Sequence, residues 1–410
     1  MPPRWLNPAP DRREALALLG LGGASLIGGG LATGAAAQQV DLGFAGGTRQ
    51  LAGDWPQKGS MIVLRERAPL LETPLSAMDG AVFTPNDRFF VRWHYQDIPT
   101  AVDPATFRLR VGGAVRRPLA LSLADLLKLP RVEIAAINQC SGNSRALFSP
   151  RVPGAQWGDG AIGNALWSGV RLRDVLDLAG VAPGAVNVRV SGLDRPPPGA
   201  PWFAKSLALD HARDGEVMIA LAMNGAPLPM LNGYPIRLIV PGWYSTYWVK
   251  ALDRIEVLTQ PDDNYWMAKA YKIPATPNAG VQPGAKDFPT VPINRMTPRA
   301  FFTSVDRATK VVADDPFYVR GLAMGGASAV ARVDLSMDAG KTWHAARLGP
   351  DQGKYGFRLW EATIGGLPRG GYRLWARCTN ADGQAQSMDA IWNPGGYMRS
   401  QIASIAVTAA

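Results

Sequence analysis

Apolar residues along this chain recur mostly with a period of two, and only briefly with the 3.6-residue period of a helix. In FFVRWHYQ (89–96), Phe89, Val91, Trp93 and Tyr95 alternate with Phe90, Arg92, His94 and Gln96. That alternation predicts a strand with Arg92 and His94 on one face, about 6.6 Å apart. FRLRVGGAV (107–115) and VEIAAINQC (132–140) predict further strands, and VNVRVSGLD, EVMIALAMN, YPIRLIVPG and VKALDRIEVLT (249–259) continue the series. Helical spacing is confined to LSLADLLKLP (121–130), with Ser122 as the expected cap, and VRLRDVLDLAG (170–180), which Gly180 should stop. The pattern describes an α+β domain in which strands dominate.

On either side the rhythm changes. Residues 38–80 read as an irregular N-terminal arm, ahead of a domain spanning 81–278. The proline-rich run IPATPNAGVQPGAKDFPTVPINRMTP (273–298) interrupts the pattern, and 279–298 reads as a linker. From 299 to 410 plain alternation returns. Val333, Leu335 and Met337 oppose Arg332, Asp334 and Ser336, and the turn Asp338-Ala339-Gly340-Lys341 leads into TWHAARL as a hairpin. FRLWEATI and GYRLWARCT add strands at the spacing of an immunoglobulin-like sandwich.

The first 37 residues are not part of this fold. Arg12-Arg13, a mild Ala/Leu/Gly stretch and Ala35-Ala36-Ala37 have the form of a cleaved twin-arginine export signal, which would place the protein in the periplasm. Past it no run of about 20 apolar residues occurs, so a membrane-embedded protein is not expected. The formal charge of +10 falls to +9 without that segment, and the basic residues are dispersed. Such a surface steers an anionic substrate or acidic partner rather than nucleic acid. There is no CxxCH for haem, and His94, His211 and His344 are too scattered for zinc.

The chemistry gathers around one of two cysteines. Cys140 ends an apolar run and is followed at once by Ser141-Gly142-Asn143-Ser144 and then Arg145. A thiol packed as a small hydrophobe belongs inside an element, not on such punctuation. Cys378, in phase with Tyr372, Leu374 and Ala376, does fit a buried core position, and a Cys140–Cys378 disulfide is the other reading. Arg92 in an aromatic strand and Arg237 between Ile236 and Leu238 are expensive to bury unless each meets an anion or an internal acid, and Lys250 lies close to the second run. A soft thiolate among cations suits an anionic ligand that carries a metal bound through sulfur.

FFVRWH, NQCSGNSR, EVMIALAMNGAPLPMLNGYPIRLIVPG, WVK, YWMAKAYKIP, VDLSMDAGKTW and IWNPGG together resemble the sulfite oxidase family of molybdenum enzymes. The likeness is nearest to its bacterial periplasmic sulfite dehydrogenases, which pass electrons to a c-type cytochrome. It implies a molybdenum–pyranopterin cofactor with Cys140 as the protein ligand of the metal, and a C-terminal dimerisation domain. By the same resemblance Arg92, Arg145 and Tyr271 are the catalytic residues, His94, Arg237, Lys250, Asn232 and Asp194 hold the pterin and its phosphate, and Trp157 is a wall. With no cytochrome b5-like domain ahead of the molybdenum domain, electrons from sulfite + H2O → sulfate + 2 H+ + 2 e− would go to a separate haem protein or bound haem subunit. One departure stands out. IWNPGG puts Pro394 and Gly395 where vertebrate members carry a third arginine, unless Arg399 replaces it. The competing readings are a sulfoxide reductase or sulfane dehydrogenase on the same scaffold, and an exported binding protein with no enzymatic activity.

Overall fold

The computed structural model describes residues 38–410, so the expected export segment lies outside the described residues. Residues 38–80 are not irregular. They supply four strands, Gln38–Asp41, Thr48–Ala52, Met61–Arg65 and Leu70–Glu72, in an antiparallel meander. Val91–Arg92 closes that sheet by pairing with Leu70–Leu71. The FFVRWHYQ run is therefore a two-residue strand rather than an eight-residue one. The alternation was diluted because both faces are apolar: Phe89, Phe90, Val91 and Trp93 are all buried.

Two further sheets build the catalytic domain. One runs Ala204–Ala208, Asn187–Gly192, Leu252–Leu258, Leu109–Gly113 and Leu119–Leu121, with a single parallel pair between Leu252–Leu258 and Leu109–Gly113. The other has Arg131–Gln139 and Ile162–Arg171 as its longest strands, joined by Met218–Met223 and Arg237–Ile239. Both expected helices form, each shorter than its sequence window. Leu123–Leu126 starts from a reciprocal Ser122–Asp125 capping box, and Leu172–Ala179 stops at Gly180, whose φ of +69° a side chain would resist. Among the described residues no helix is long and apolar enough to cross a membrane.

The expected linker is folded at its C-terminal end, while 281–289 holds no strand or helix. Lys272–Pro274 and Thr290–Pro292 pair as a hairpin, and Ile293 and Met296 are buried in the main core. Beyond it a four-stranded and a five-stranded sheet pack as the sandwich. Its alternation holds for Val333 and Leu335 but not for Met337, which is 39% exposed, or for Asp334 and Ser336, which are buried. Asp334 is covered by ion pairs with Arg332 and Arg377. Ser336 is drawn in because its hydroxyl accepts from the Gly340 N–H at 2.9 Å and so braces the turn. No disulfide links Cys140 and Cys378: both are free and buried, in separate cores. Burial pushes the Cys378 thiol up to about 12, as expected of a structural cysteine.

The Cys140 loop sits where these parts meet. It docks on residues 157–161, with Cys140 N–H donating to Ala161 O (2.9 Å), Ser144 N–H to Gly158 O (2.7 Å) and Ala146 N–H to Trp157 O (3.1 Å). Beneath that segment lies Glu72 of the N-terminal meander, 1% exposed, whose two carboxyl oxygens accept from Gly158 N–H (2.9 Å) and Gly160 N–H (2.8 Å). Gly160 must lack a side chain, since a Cβ there would lie 1.9 Å from Thr73 O. Replacing Glu72 by Gln would set an amide N–H₂ against one of those backbone donors. Leaving a buried group unsatisfied costs about 1–3 kcal/mol, so Glu72→Gln should lower the denaturant midpoint by that equivalent with an unchanged slope. An unaltered midpoint would show that the loop does not depend on this carboxylate.

Candidate active site

One cavity gathers most of the residues that the sequence singled out. Its walls include Arg92, His94, Asn138, Cys140, Ser141, Asn232, Arg237, Lys250 and Tyr271, together with Phe90, Phe203 and Trp248. The strand Arg131–Gln139 delivers Cys140 from one side, and the 3-10 turns Met230–Asn232 and Ser245–Tyr247 flank the opposite wall. All of its lining residues fall between Phe90 and Tyr271, ahead of the C-terminal sandwich.

Positive charge fills its inner end. Arg237 is 3% exposed; it donates to the main-chain carbonyls of Asn232 (2.9 Å) and Trp248 (3.2 Å) and lies over the rings of Trp167 and Trp248. Burial pulls its guanidinium down to about 9. Lys250, its ammonium 4.4 Å from the Trp93 ring centre, is drawn down to about 7 by burial and by Arg237. Asp194 does not line the cavity. It is a buried carboxylate that burial raises and whose leading electrostatic partner is Lys250, so it acts as that lysine's counter-charge.

His94 and Tyr271 form a hydrogen-bonded pair, Nε2 to phenol oxygen at 2.7 Å. Burial and then the charges of Arg92, Lys250 and Lys205 hold His94 well below its ordinary value, so the imidazole is neutral. Burial pushes the Tyr271 phenol upward, which keeps its proton in place. Phe203 stacks on His94 with centroids 3.8 Å apart. Tyr271 in turn stacks on Tyr397, at 5.7 Å, and Tyr397 faces Arg145 at 5.0 Å.

Arg145 stands one layer behind the cavity wall. Its Nε donates to Gly395 O (3.2 Å) and Nη1 to Ala155 O (3.3 Å). Its guanidinium fits a cradle with no side chains on three sides. A Cβ at Gly142 would lie 2.5 Å from Nη2, one at Gly154 2.8 Å from Nη1, and one at Gly396 3.0 Å from Nε. The IWNPGG segment thus gives Arg145 a carbonyl acceptor in place of a neighbouring cation. Arg399 does not replace the missing arginine: it donates to Gln401 Oε1 at 2.6 Å and lies in the field of Asp159 and Arg299. Trp157 is a core residue rather than a wall, 1% exposed, with its carbonyl holding Ala146 beside Arg145.

Three site residues escaped the sequence reading. Lys205, fully buried, donates to Trp266 O at 2.6 Å and lies 5.6 Å from the Tyr271 ring centre. The reasoning that exposed Arg237, a cation inside an apolar strand (PWFAKSLAL), would have found it. Tyr397 carried no signal, since only the fold brings 397 against 145 and 271. Lys58 sits in a segment without any motif, yet its ammonium is buried beside Asn232.

The donors left over decide what fits. Arg92 Nη1, Asn138 Nδ2 and Arg237 Nε are buried side-chain donors without a partner among the described residues. Each is costly to leave unmet. A cation-lined cavity with free donors and one soft thiolate fits an anionic, sulfur-bearing metal cofactor. The fold and site together are those of a molybdopterin-dependent oxidoreductase.

Comparison with known proteins agrees. Residues 95–266 match the oxidoreductase molybdopterin binding domain, and 291–409 the Mo-co oxidoreductase dimerisation domain. Sulfite oxidase of Gallus gallus is 35% identical over 369 residues, covering 85% of this chain and 78% of that protein. The mitochondrial sulfite oxidase of Homo sapiens is 35% identical over 349 residues, 80% of this chain but 62% of that protein's length. Among solved structures, the sulfane dehydrogenase SoxCD of Paracoccus pantotrophus superposes with a TM-score of 0.72 at 25% identity, covering 84% of this chain and 88% of that one. This chain belongs to the sulfite oxidase family, and its cofactor is molybdenum–molybdopterin.

The neutral His94 has a consequence for stability. Its value is depressed in the folded state, so between that value and its unfolded value of about 6.5 the unfolded chain binds the extra proton. Stability should therefore rise with pH through that window and fall on acidification. Melting curves between pH 5 and 7.5 should show this, and His94→Gln should flatten the profile. An equal slope in the variant would remove His94 as its source.

Proposed function

We propose that the chain oxidises sulfite to sulfate and passes the electrons one at a time to a c-type cytochrome. The observation that carries this reading is the convergence of Cys140, Arg92 and the His94–Tyr271 pair on one cavity, with Arg145 behind Tyr397. When bound, the molybdenum cofactor supplies two-electron oxygen-atom transfer, with the Cys140 thiolate as the metal's protein ligand. The chain's own residues bind and orient. Arg92 and Arg145 offset the charge of the oxyanion and set its approach, an electrostatic and positioning role. The protonated Tyr271 and neutral His94 hold a hydrogen-bonding wall beside the reacting atoms without adding charge. His94, Arg237 and Lys250 hold the pterin and its phosphate, and Asn232 and Asp194 support them.

Oxidation of a sulfane sulfur is the second reading, supported by the likeness to SoxCD and by one feature of the site. Where a third arginine would add charge, this chain presents the ring of Tyr397 against both Arg145 and Tyr271. The C-terminal sandwich, which matches a dimerisation domain, is proposed to pair two copies of the chain.

Steady-state kinetics of the loaded enzyme test the substrate. Losing one charged hydrogen bond costs about 1.5–3 kcal/mol, or roughly 10- to 150-fold in kcat/KM. Arg145→Met should show that loss with sulfite, and Arg145→Lys should fall between it and wild type, keeping charge but not the planar fork. Cys140→Ser should lose turnover altogether. Sulfite oxidation unchanged in Arg145→Met would sink the anion role, and turnover of a sulfane substrate but not sulfite would favour the second reading.

Export by the twin-arginine route, which carries folded passengers, is proposed from Arg12-Arg13 and the segment behind them. Arg12→Lys with Arg13→Lys should leave active enzyme in the cytoplasm. Processed, active protein in the periplasmic fraction of that variant would contradict it.

A further inference from the structure

Lys58 follows the strand Thr48–Ala52 and belongs to a part of the chain with no motif, yet its side chain is 7% exposed and ends beside the cofactor cavity. Its ammonium meets three acceptors: the carbonyls of Asn86 (2.8 Å) and Phe89 (2.9 Å) and Oδ1 of Asn232. An ammonium has three N–H groups, so all are used within the protein and none is left for a ligand. Asn232 is held on two further sides. Its Nδ2 donates to Phe90 O at 3.1 Å, and its main-chain carbonyl accepts from Arg237 Nη1 at 2.9 Å. Arg237 keeps Nε unpartnered. The order of support is therefore Lys58, then Asn232, then the guanidinium that offers its free donor to the cavity.

We infer that Lys58 is a positioning residue for the anionic end of the molybdopterin: it anchors Asn232 by its side chain, and the main-chain carbonyl of that residue accepts from Arg237. The inference rests on the reading of Asn232 and Arg237 as the phosphate-holding end of the cavity. Two physical arguments support it. Without the ammonium, Asn232 Oδ1 becomes a buried acceptor with no donor, and an amide flip would set Oδ1 against Phe90 O instead. Besides burial, the ammonium feels Asp87, which favours its charge, and then Arg237, which disfavours it. An anion near both cations relieves that repulsion, so Lys58 raises the affinity of the site without touching what it binds.

The competing role is purely structural: Lys58 could pin the N-terminal meander through the Asn86 and Phe89 carbonyls alone. Lys58→Met, Asn232→Ala and the double variant separate the two. The measurements are molybdopterin released from the loaded full chain, followed by the fluorescence of oxidised pterin, and melting temperatures with and without cofactor. Lys58→Met should speed release roughly 10- to 150-fold, the loss of one charged hydrogen bond. The melting temperature of the cofactor-free chain should fall, since buried acceptors lose their donor, but by less than that of the loaded chain. Release from the double variant should be no faster than from the worse single one, since the residues act in series. Additive effects on release, or a fall in the cofactor-free melting temperature as large as in the loaded one, would overturn the inference. Should Lys58→Met not fold, Lys58→Arg keeps the charge but presents a planar fork to three acceptors set for an ammonium. It should release faster than wild type, and release at the wild-type rate would overturn the inference. Wild-type chain purified without any pterin would overturn the cofactor reading together with this one, whereas equal release by wild type and Lys58→Met overturns this one alone.

Discussion

Burying a guanidinium with no carboxylate beside it is among the more costly things a fold can do, and Arg237 is such a group. Carbonyls from two separate turns, at Asn232 and Trp248, take its donors, and two indole faces take its charge. Those turns must then be held still, which explains the density of structure around them. Lys58 and Lys250, the latter with Asp194 as its counter-charge, are packed in as well. The cavity is thus kept electropositive by groups that would be more stable apart, and an anion is the component that resolves the conflict. The stability given up here is what makes the site selective for an anionic cofactor.

The catalytic loop depends equally on regions far from it in sequence. Glu72 of the N-terminal meander holds the 157–161 segment from below. From the other side, Arg299 of the C-terminal domain pairs with Asp159, which also accepts from Ser144, the neighbour of Arg145. Gly395 takes Arg145 Nε directly, and Met398 N–H donates to Ser141 O at 3.0 Å. The loop that carries Cys140 and Arg145 is therefore set by three parts of the chain at once, and the sandwich braces that loop as well as standing beside it.

Much of this was legible in the sequence, and the reasons are local. Ser122 and Gly180 marked helix ends because capping is decided within a few residues. Cys140, Arg92 and Arg237 were conspicuous because each breaks the apolar pattern around it. What escaped depended on long-range placement. The meander of 38–80 has short strands whose partners lie outside any local window, and its outer strands are too exposed to alternate cleanly. Asp334 looked outward until Arg332 and Arg377 covered it. Lys58, Lys205 and Tyr397 acquire meaning only from what the fold brings to them, and Asp194 changed from ligand to counter-charge once Lys250 stood in front of it.

The glycine cradle around Arg145 shows how such a site can be lost without being touched. Gly142, Gly154 and Gly396 come from three different loops, and a methyl group on any of them would press on the Arg145 side chain, at Gly396 on the buried Val152 as well. Gly154 and Gly396 also hold positive φ angles, +108° and +58°, that a side chain would strain, so Gly142 is the position where the arginine could be pushed aside at least cost to folding. Inactivity of a Gly142 variant would then trace to a position that does not line the cavity, and a judgement by stability alone would pass it as harmless.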